Sequence, residues 1–179
     1  MGQDESLLFQ GKVWRFGDNI STDLMMPGLV YSKMASDQEI ARYCMAANRP
    51  GWADQVRPGD IVVARRNFGC GSSRPAPRML KTLGISVVVA ESMSRLFFRN
   101  AVNVGFPVLI CPGVYDAFEE GELAEVNAET GEVKNLTRGM VFQGEALSAG
   151  TPPYQILKAG GLQPLLREVI AKLKAGAQR

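Results

Sequence analysis

The stretch from Asp60 to Ala90, "DIVVARRNFGCGSSRPAPRMLKTLGISVVVA", decides the fold. "DIVVARR" and "GISVVVA" are β-rich, and Val87, Val88, Val89 and Ala90 form an unbroken apolar run, the pattern of a strand covered on both faces. Between them "RPAPRMLKTL" reads as a helix, with Ser72 or Ser73 placed to cap it and Pro75 or Pro77 suited to its opening turn. A second helix-like segment, "SMSRLFFRNAVNV", leads to a third β-rich run, "FPVLI". Strands alternating with helices in this way predict parallel strands joined by crossovers, and therefore an α/β fold with a central strand-helix-strand unit.

Upstream, "GKVWRF" (Gly11 to Phe16) alternates as a strand, and "GDNISTDLMMPG" reads as a loop punctuated by Gly17, Pro27 and Gly28. Ser36 with Glu39 three residues later has capping-box spacing and predicts a short helix; "NRPGWADQVRPGD" reads as loop and turn. Downstream of Pro112, Asp116 to Glu132 contain seven acids and no base, with "AETGE" as a hairpin turn, so antiparallel strands with a solvated acidic edge are expected. Leu162, Leu165, Leu166, Val169, Ile170 and Leu173 then recur on one helical face, and residues 174–179 read as a frayed tail. There is no internal repeat, and residues 1–179 are read as one domain.

Composition narrows the function. Hydrophobic residues make up 46% and charged residues 21%, with a net charge of +2, which is ordinary for a globular chain and gives no electrostatic argument for nucleic acid or membrane. No apolar run reaches the roughly 20 residues of a spanning helix, and the N-terminus lacks a leader pattern, so a cytoplasmic protein is expected. Cys44, Cys70 and Cys111 are odd in number and form no CxxC pair, which disfavours a disulfide framework and a metal site made by this chain alone. The absence of histidine removes the usual general base and every Ser-His or Cys-His arrangement.

The loop "NFGCGSSRPAP" leaves the carboxyl end of one predicted strand and enters a helix, the place where open α/β sheets bind ligands. Gly69 and Gly71 allow close backbone approach, and Arg74 can grip a carboxylate through two parallel hydrogen bonds. Between Ile61 and Ile110 seven bases stand against the single acid Glu91, an excess of six positive charges that favours an anionic ligand. The loop matches neither a Walker nor a GxGxxG pattern, which disfavours nucleotides. On these residues alone, an anion site and an ordinary helix-capping loop both stand.

"NFGCGSSR" resembles the signature of the aconitase superfamily's swivelling domain, most closely as found in the small subunits of 3-isopropylmalate dehydratases. "GKVWRFGDNISTDLMMPG", "GISVVVAESMSRLFFRNAVNVGFPVL" and "ILKAGGL" resemble further segments of the same subunits in the same order, covering most of the chain. The resemblance implies a swivelling β/β/α domain that closes over a [4Fe–4S] cluster held by a large partner subunit, with no metal bound by this chain. It implies a hydro-lyase acting on a hydroxy di- or tricarboxylate, foremost the interconversion of 2- and 3-isopropylmalate in leucine biosynthesis. Ser72 would be the base that removes the proton beside a carboxylate, made basic by surrounding N–H groups and cations. Gly71, Ser73 and Arg74 would hold substrate, and Asp23 would orient groups at the site's edge; an Asx turn before Pro27 is the other reading of Asp23, with Thr22 supporting it.

Substrate choice in the family lies in the loop after that aspartate, here Val30, Tyr31, Ser32 and Lys33. Val30 and Tyr31 favour an alkyl substituent, while Lys33 leaves an additional carboxylate open, as in homoaconitase. The family continues its signature with Glu-His-Ala, whereas this chain reads Arg74-Pro75-Ala76-Pro77. That departure leaves room for a dimethylmalate-type dehydratase or a non-catalytic dicarboxylate-binding module. Cys70 reads as a small loop residue, and Cys44 and Cys111 as packing. Arg95, Phe97, Phe98 and Arg99 suit a half-buried helix better than an RNA surface. Self-association is left open.

Overall fold

The computed structural model describes residues 7–26, 28, 36–71 and 74–176. One seven-stranded sheet, ordered β4-β3-β2-β1-β5-β6-β7, organises these residues. β1 (Leu8–Phe16) pairs in parallel with β2 (Ile61–Ala64), β2 with β3 (Val87–Ala90), and β3 with β4 (Val108–Ile110). On its other side β1 pairs antiparallel with β5 (Leu123–Asn127), which continues through β6 (Glu132–Asn135) to β7 (Met140–Gln143). The three β-rich runs read from sequence are therefore β2, β3 and β4, and "AETGE" makes the β5–β6 turn. β1 starts three residues before Gly11 because its first half pairs with β5.

The helices follow local signals. In α2 (Asp37–Ala41), the Ser36 hydroxyl accepts from the Glu39 amide and the Glu39 carboxylate accepts from the Ser36 amide, completing the expected capping box. α3 (Ala76–Leu83) begins after Pro75 with Pro77 in its first turn; its N-cap position is Pro75, and Ser72 and Ser73 lie outside the described residues. α4 (Arg95–Asn103) is capped by Ser94, whose hydroxyl accepts from the Phe97 amide. One helix stands where the sequence reads as loop, and another, Pro152–Lys158, lies where no helix is expected. Thr22–Met25 forms a single turn, α1, because the Ser21 hydroxyl accepts from the Leu24 amide where the sequence reads as loop. A 3₁₀ turn, Tyr115–Ala117, precedes β5; α5 (Pro152–Lys158) and α6 (Leu162–Gly176) follow β7. The helix of α6 includes residues 174–176, where the sequence suggests a frayed tail.

Alternate β-strand side chains serve two cores, as the period of two requires. Val62, Ala64, Val88 and Ala90 face Met79, Leu80, Phe97 and Ala101 of the helices, with Trp14, Phe16 and Trp52. Ile61, Val63, Val87 and Val89 face Phe118, Ala124, Val126 and Val133 of the antiparallel half. This second layer forms because the sheet curls: beyond β7 the Glu145 amide donates to the Ile110 carbonyl of β4 (2.8 Å). Within the first core the Trp14 indole N–H donates to Asp60 (2.7 Å), which also accepts from the Arg57 amide (2.9 Å).

The expected solvated acidic edge is instead a row of ion pairs. Asp116 pairs with Arg65, Glu119 and Glu122 with Arg138, Glu119 also with Arg15, Glu120 with Arg49, Glu125 and Glu132 with Lys134, and Glu129 with Lys158. The basic partners of Asp116, Glu119, Glu120 and Glu129 come from distant segments, which is why the charge count along this stretch was misleading. The Arg15 and Arg65 guanidinium groups also lie over the Tyr115 ring, at 4.1 and 5.0 Å from its centroid.

Candidate functional site at the carboxyl ends of the parallel strands

β1 and β2 end side by side, and their exit loops run on together beyond the sheet. The Asn19 amide donates to the Arg66 carbonyl (2.9 Å), the Gly69 amide to the Ile20 carbonyl (2.8 Å), and the Thr22 amide to the Cys70 carbonyl (2.8 Å). Ser21 and Cys70 form a parallel bridge. Asn19 and Asn67 both take left-handed backbone conformations, with φ of 57° and 58°, and the Asn67 amide group donates to the Asn19 side-chain oxygen (2.8 Å). Asparagine is among the few non-glycine residues that tolerate this region, so the paired turns have a residue-level cause. Asp18 accepts from the Arg66 amide (3.0 Å), closing the outer end.

The signature loop is also fixed from below. Gly69 has φ +73°, and a Cβ there would stand 2.2 Å from Cγ of Phe97 in α4, so glycine is required both by conformation and by space. Phe97 is buried and packs edge-on against Phe68, with ring centroids 5.2 Å apart. Phe68 in turn bridges to Met93, three residues beyond β3. The loop is thereby held between the β1 exit and α4.

This architecture brings Asp23 and Arg74 together. The Arg74 Nε donates to Asp23 Oδ1, and the other Asp23 oxygen lies 3.5 Å from where a Cβ on Gly71 would stand. Both side chains stay partly open, Arg74 at 31% and Asp23 at 50% exposure, so a ligand can reach them. Gly28 also approaches: a Cβ there would lie 3.0 Å from each Arg74 Nη. Asp23 stands in the first turn of α1, whose cap is Ser21, and Pro27 lies outside the described residues. Thr22 is buried, and its amide is the one that meets Cys70. Ser72, Ser73, Val30, Tyr31, Ser32 and Lys33 lie outside the described residues.

The positive charge counted from sequence is partly met by carboxylates from other segments. Arg65 pairs with Asp116, Arg66 with Glu91, Arg74 with Asp23, and Arg78 with Asp37. Lys81 donates to the carbonyls of Val104 and Gly105 at the far, amino end of the strands. Arg95 and Arg99 line an open groove of about 330 Å³ with Met93, Phe98, Ile110 and Glu145, next to the loop through Met93. Phe97 packs inward while Arg95 and Arg99 are exposed, the half-buried helix anticipated.

Two cysteines are chemically quiet. Burial pushes the Cys44 thiol up to about 12, and burial with the nearby Glu91 charge pushes the Cys111 thiol up to about 11. Both are therefore protonated thiols at neutral pH and pack in the two cores. Among the described residues no group of three His, Cys, Asp or Glu is placed to hold a metal ion. No helix among them is long and apolar enough to cross a membrane.

The model of the aconitase C-terminal domain matches residues 22–110, which hold Asp23, the signature loop and the central strand-helix-strand unit. The isopropylmalate/citramalate isomerase small subunit of Methanocaldococcus jannaschii is 47% identical over 170 residues, covering 92% of this chain and 97% of its own. The chain belongs to the 3-isopropylmalate dehydratase small-subunit family of the aconitase superfamily. A solved structure described as 3-isopropylmalate dehydratase from M. jannaschii superposes with a TM-score of 0.86 at 32% identity, covering 96% of this chain and 99% of that one. A methanogen homoaconitase small subunit from Methanothermobacter thermautotrophicus is 43% identical over 156 residues, 87% of this chain and 88% of its own. Family membership accounts for the α/β fold with its curled mixed sheet, and small-subunit names imply a larger partner subunit.

What sequence reasoning missed is mostly backbone. Asn19, Asp18 and Ser21 carry the contacts between the two loops, and the asparagines in "GDNIS" and "RRNFG" were the signal: the same residue, three positions beyond a strand, in two neighbouring exits. Nothing in the sequence points to Gly28 beside Arg74.

Proposed function

We infer that this chain is the small subunit of a hydro-lyase that interconverts 2- and 3-isopropylmalate, active only when joined to a larger subunit. The observation that carries this reading is the Asp23–Arg74 pair, presented on two interlocked loops at the carboxyl ends of parallel strands, beside the family's signature. Residues 1–179 act as one swivelling domain that closes this surface over the partner's site.

The roles of this chain's residues follow from their chemistry. Arg74 binds a substrate carboxylate, and Asp23, on Nε, keeps the guanidinium plane from rotating, so that the Nη groups are aimed in advance. Ser73 adds a hydroxyl donor to the same carboxylate. Ser72 removes the proton on the carbon next to the carboxylate; its alkoxide form requires nearby N–H groups and cations, for which Gly71 and Arg74 are the adjacent candidates. The described residues offer no ligand set for the [4Fe–4S] cluster that the resemblance assigns to the larger subunit, so the steps derived for this chain are binding, orientation and proton removal. Val30, Tyr31, Ser32 and Lys33 contact the substituent that distinguishes substrates.

The homoaconitase subunit among the relatives supports a second substrate with an additional carboxylate, for which Lys33 is the counter-charge. The test is an anaerobic assay of this chain, alone and mixed with its reconstituted large subunit, following the ultraviolet absorbance of unsaturated product from isopropylmalate, citramalate, dimethylmalate and homocitrate-type acids. Activity with isopropylmalate only in the mixture is the expected result. No turnover of any acid, with complex formed and cluster intact, would leave a dicarboxylate-binding module in its place.

A further inference from the structure

Gly69 is a glycine that the fold requires, through its positive φ and the Phe97 ring beside it. Gly28 has neither reason. Its backbone is helical, a conformation open to any residue and one in which glycine is locally a weaker choice than alanine. A Cβ built on it meets Arg74 first: the three nearest atoms are the two Nη, each at 3.0 Å, and Cζ at 3.3 Å. The far end of an arginine has many rotamers and yields to a methyl group, so packing alone does not demand glycine here.

The three distances locate that point. A position above the guanidinium plane would be at least as close to Cζ as to the nitrogens. The Cβ position is equally far from the two Nη and farther from Cζ, so it lies off the outer, Nη–Nη edge of the fork. On the side of the fork that holds Nε, Asp23 is the partner, while neither Nη makes a hydrogen bond among the described residues. A carboxylate gripped on the outer edge by two parallel hydrogen bonds puts each oxygen about 2.7–2.9 Å from an Nη, in the same space that a Cβ on Gly28 would take. Arg74 and Gly28 are both partly exposed, so this space is open to a ligand.

We propose, resting on the carboxylate-binding role of Arg74, that Gly28 is the floor of the carboxylate seat: the substrate's carboxylate fills the volume that any side chain at position 28 would occupy. Asp23 sets the direction of the fork from one side, and Gly28 keeps its outer edge clear. The seat holds a carboxylate that every candidate acid carries, so Gly28 governs affinity for all of them alike, in contrast to the substituent contacts assigned to Val30, Tyr31, Ser32 and Lys33.

The test uses the assembled complex with Gly28→Ala, Arg74→Lys and the double variant, measuring calorimetric binding and steady-state turnover of isopropylmalate and of citramalate, with melting of the isolated chain as the control. For Gly28→Ala, Kd and KM are expected to rise about 10- to 100-fold for both acids, the cost of losing charge-assisted hydrogen bonds, with kcat within about threefold and the melting temperature unchanged. On the Arg74→Lys background the same substitution is expected to add less than about threefold, because both changes act on one seat. Equal losses on the two backgrounds would overturn the proposal, as would a loss confined to one acid, which would place Gly28 with the substituent contacts. A lowered melting temperature for Gly28→Ala would also overturn it, since the glycine would then serve the fold. Unimpaired binding by Gly28→Ala beside weakened binding by Arg74→Lys would sink this proposal alone. Unimpaired binding by both would remove the carboxylate role of Arg74 and the proposal with it.

Discussion

At the scale of single residues, the site depends on what glycine and arginine each permit. Gly69→Ala adds a methyl group where the Phe97 ring already stands and forces φ +73° on a residue with a Cβ; a loss of about 2–4 kcal/mol is expected, read from denaturant unfolding of the isolated chain. Arg74→Lys keeps the charge but loses the planar fork that Asp23 orients. In the assembled complex its kcat/KM for the preferred acid should fall about 100-fold, most of it in KM, with the melting temperature nearly unchanged. A value of kcat/KM within a factor of two of wild type would remove Arg74 from the binding role. Much of this was legible: the glycines and the arginine of "NFGCGSSR" stand out by composition and by resemblance. The Phe97 contact was not, because it joins residues 28 positions apart through a glycine that leaves no pattern of its own.

At the scale of elements, local chemistry and long-range packing separate clearly. The β2, β3 and β4 runs, the Ser36–Glu39 box and the "AETGE" turn are set by residues within a few positions of one another, and they form as read. α1 escaped notice because its whole signal is one serine ahead of four residues, in a segment that Gly17 and Pro27 mark as loop. The ion pairs of the acidic segment escaped for a different reason: Glu120 meets Arg49 and Asp116 meets Arg65 only once the sheet has curled. The Arg49 guanidinium, donating to both Glu120 oxygens, holds that carboxyl below the usual glutamate range. A depressed folded-state pKa contributes stability above the unfolded value, near 4.3, and that contribution is lost as pH falls through the folded value. Glu120→Gln should therefore cost about 0.5–1 kcal/mol at pH 7, the range of a partly exposed pair, and the difference from wild type should vanish in acid. An equal difference at pH 7 and pH 3 would show that the charge is not responsible. Asp60 offers the buried contrast: Asp60→Ala orphans the Trp14 indole N–H and the Arg57 amide, and should cost about 2–4 kcal/mol in urea unfolding.

At the scale of the whole molecule, a single sheet joins a parallel half, which ends in the interlocked loops, to an antiparallel half that curls beneath it. The curl gives the parallel strands their second buried face, so the loops are carried on a rigid base while the site itself stays open. Histidine is absent, and the site's described side chains, Asp23 and Arg74, form an ion pair to which the proposed function gives binding and orientation. In the proposed function the proton is moved by Ser72, a group that needs this environment to become basic. The most direct measurement is the turnover of isopropylmalate by the assembled, cluster-loaded complex carrying Ser72→Ala, with complex formation and substrate binding followed in the same preparation. The account predicts assembly and binding within about twofold of wild type and a loss of turnover of about 1,000-fold or more. Turnover near the wild-type rate in a correctly assembled complex would contradict it, and the base would have to be sought outside this loop.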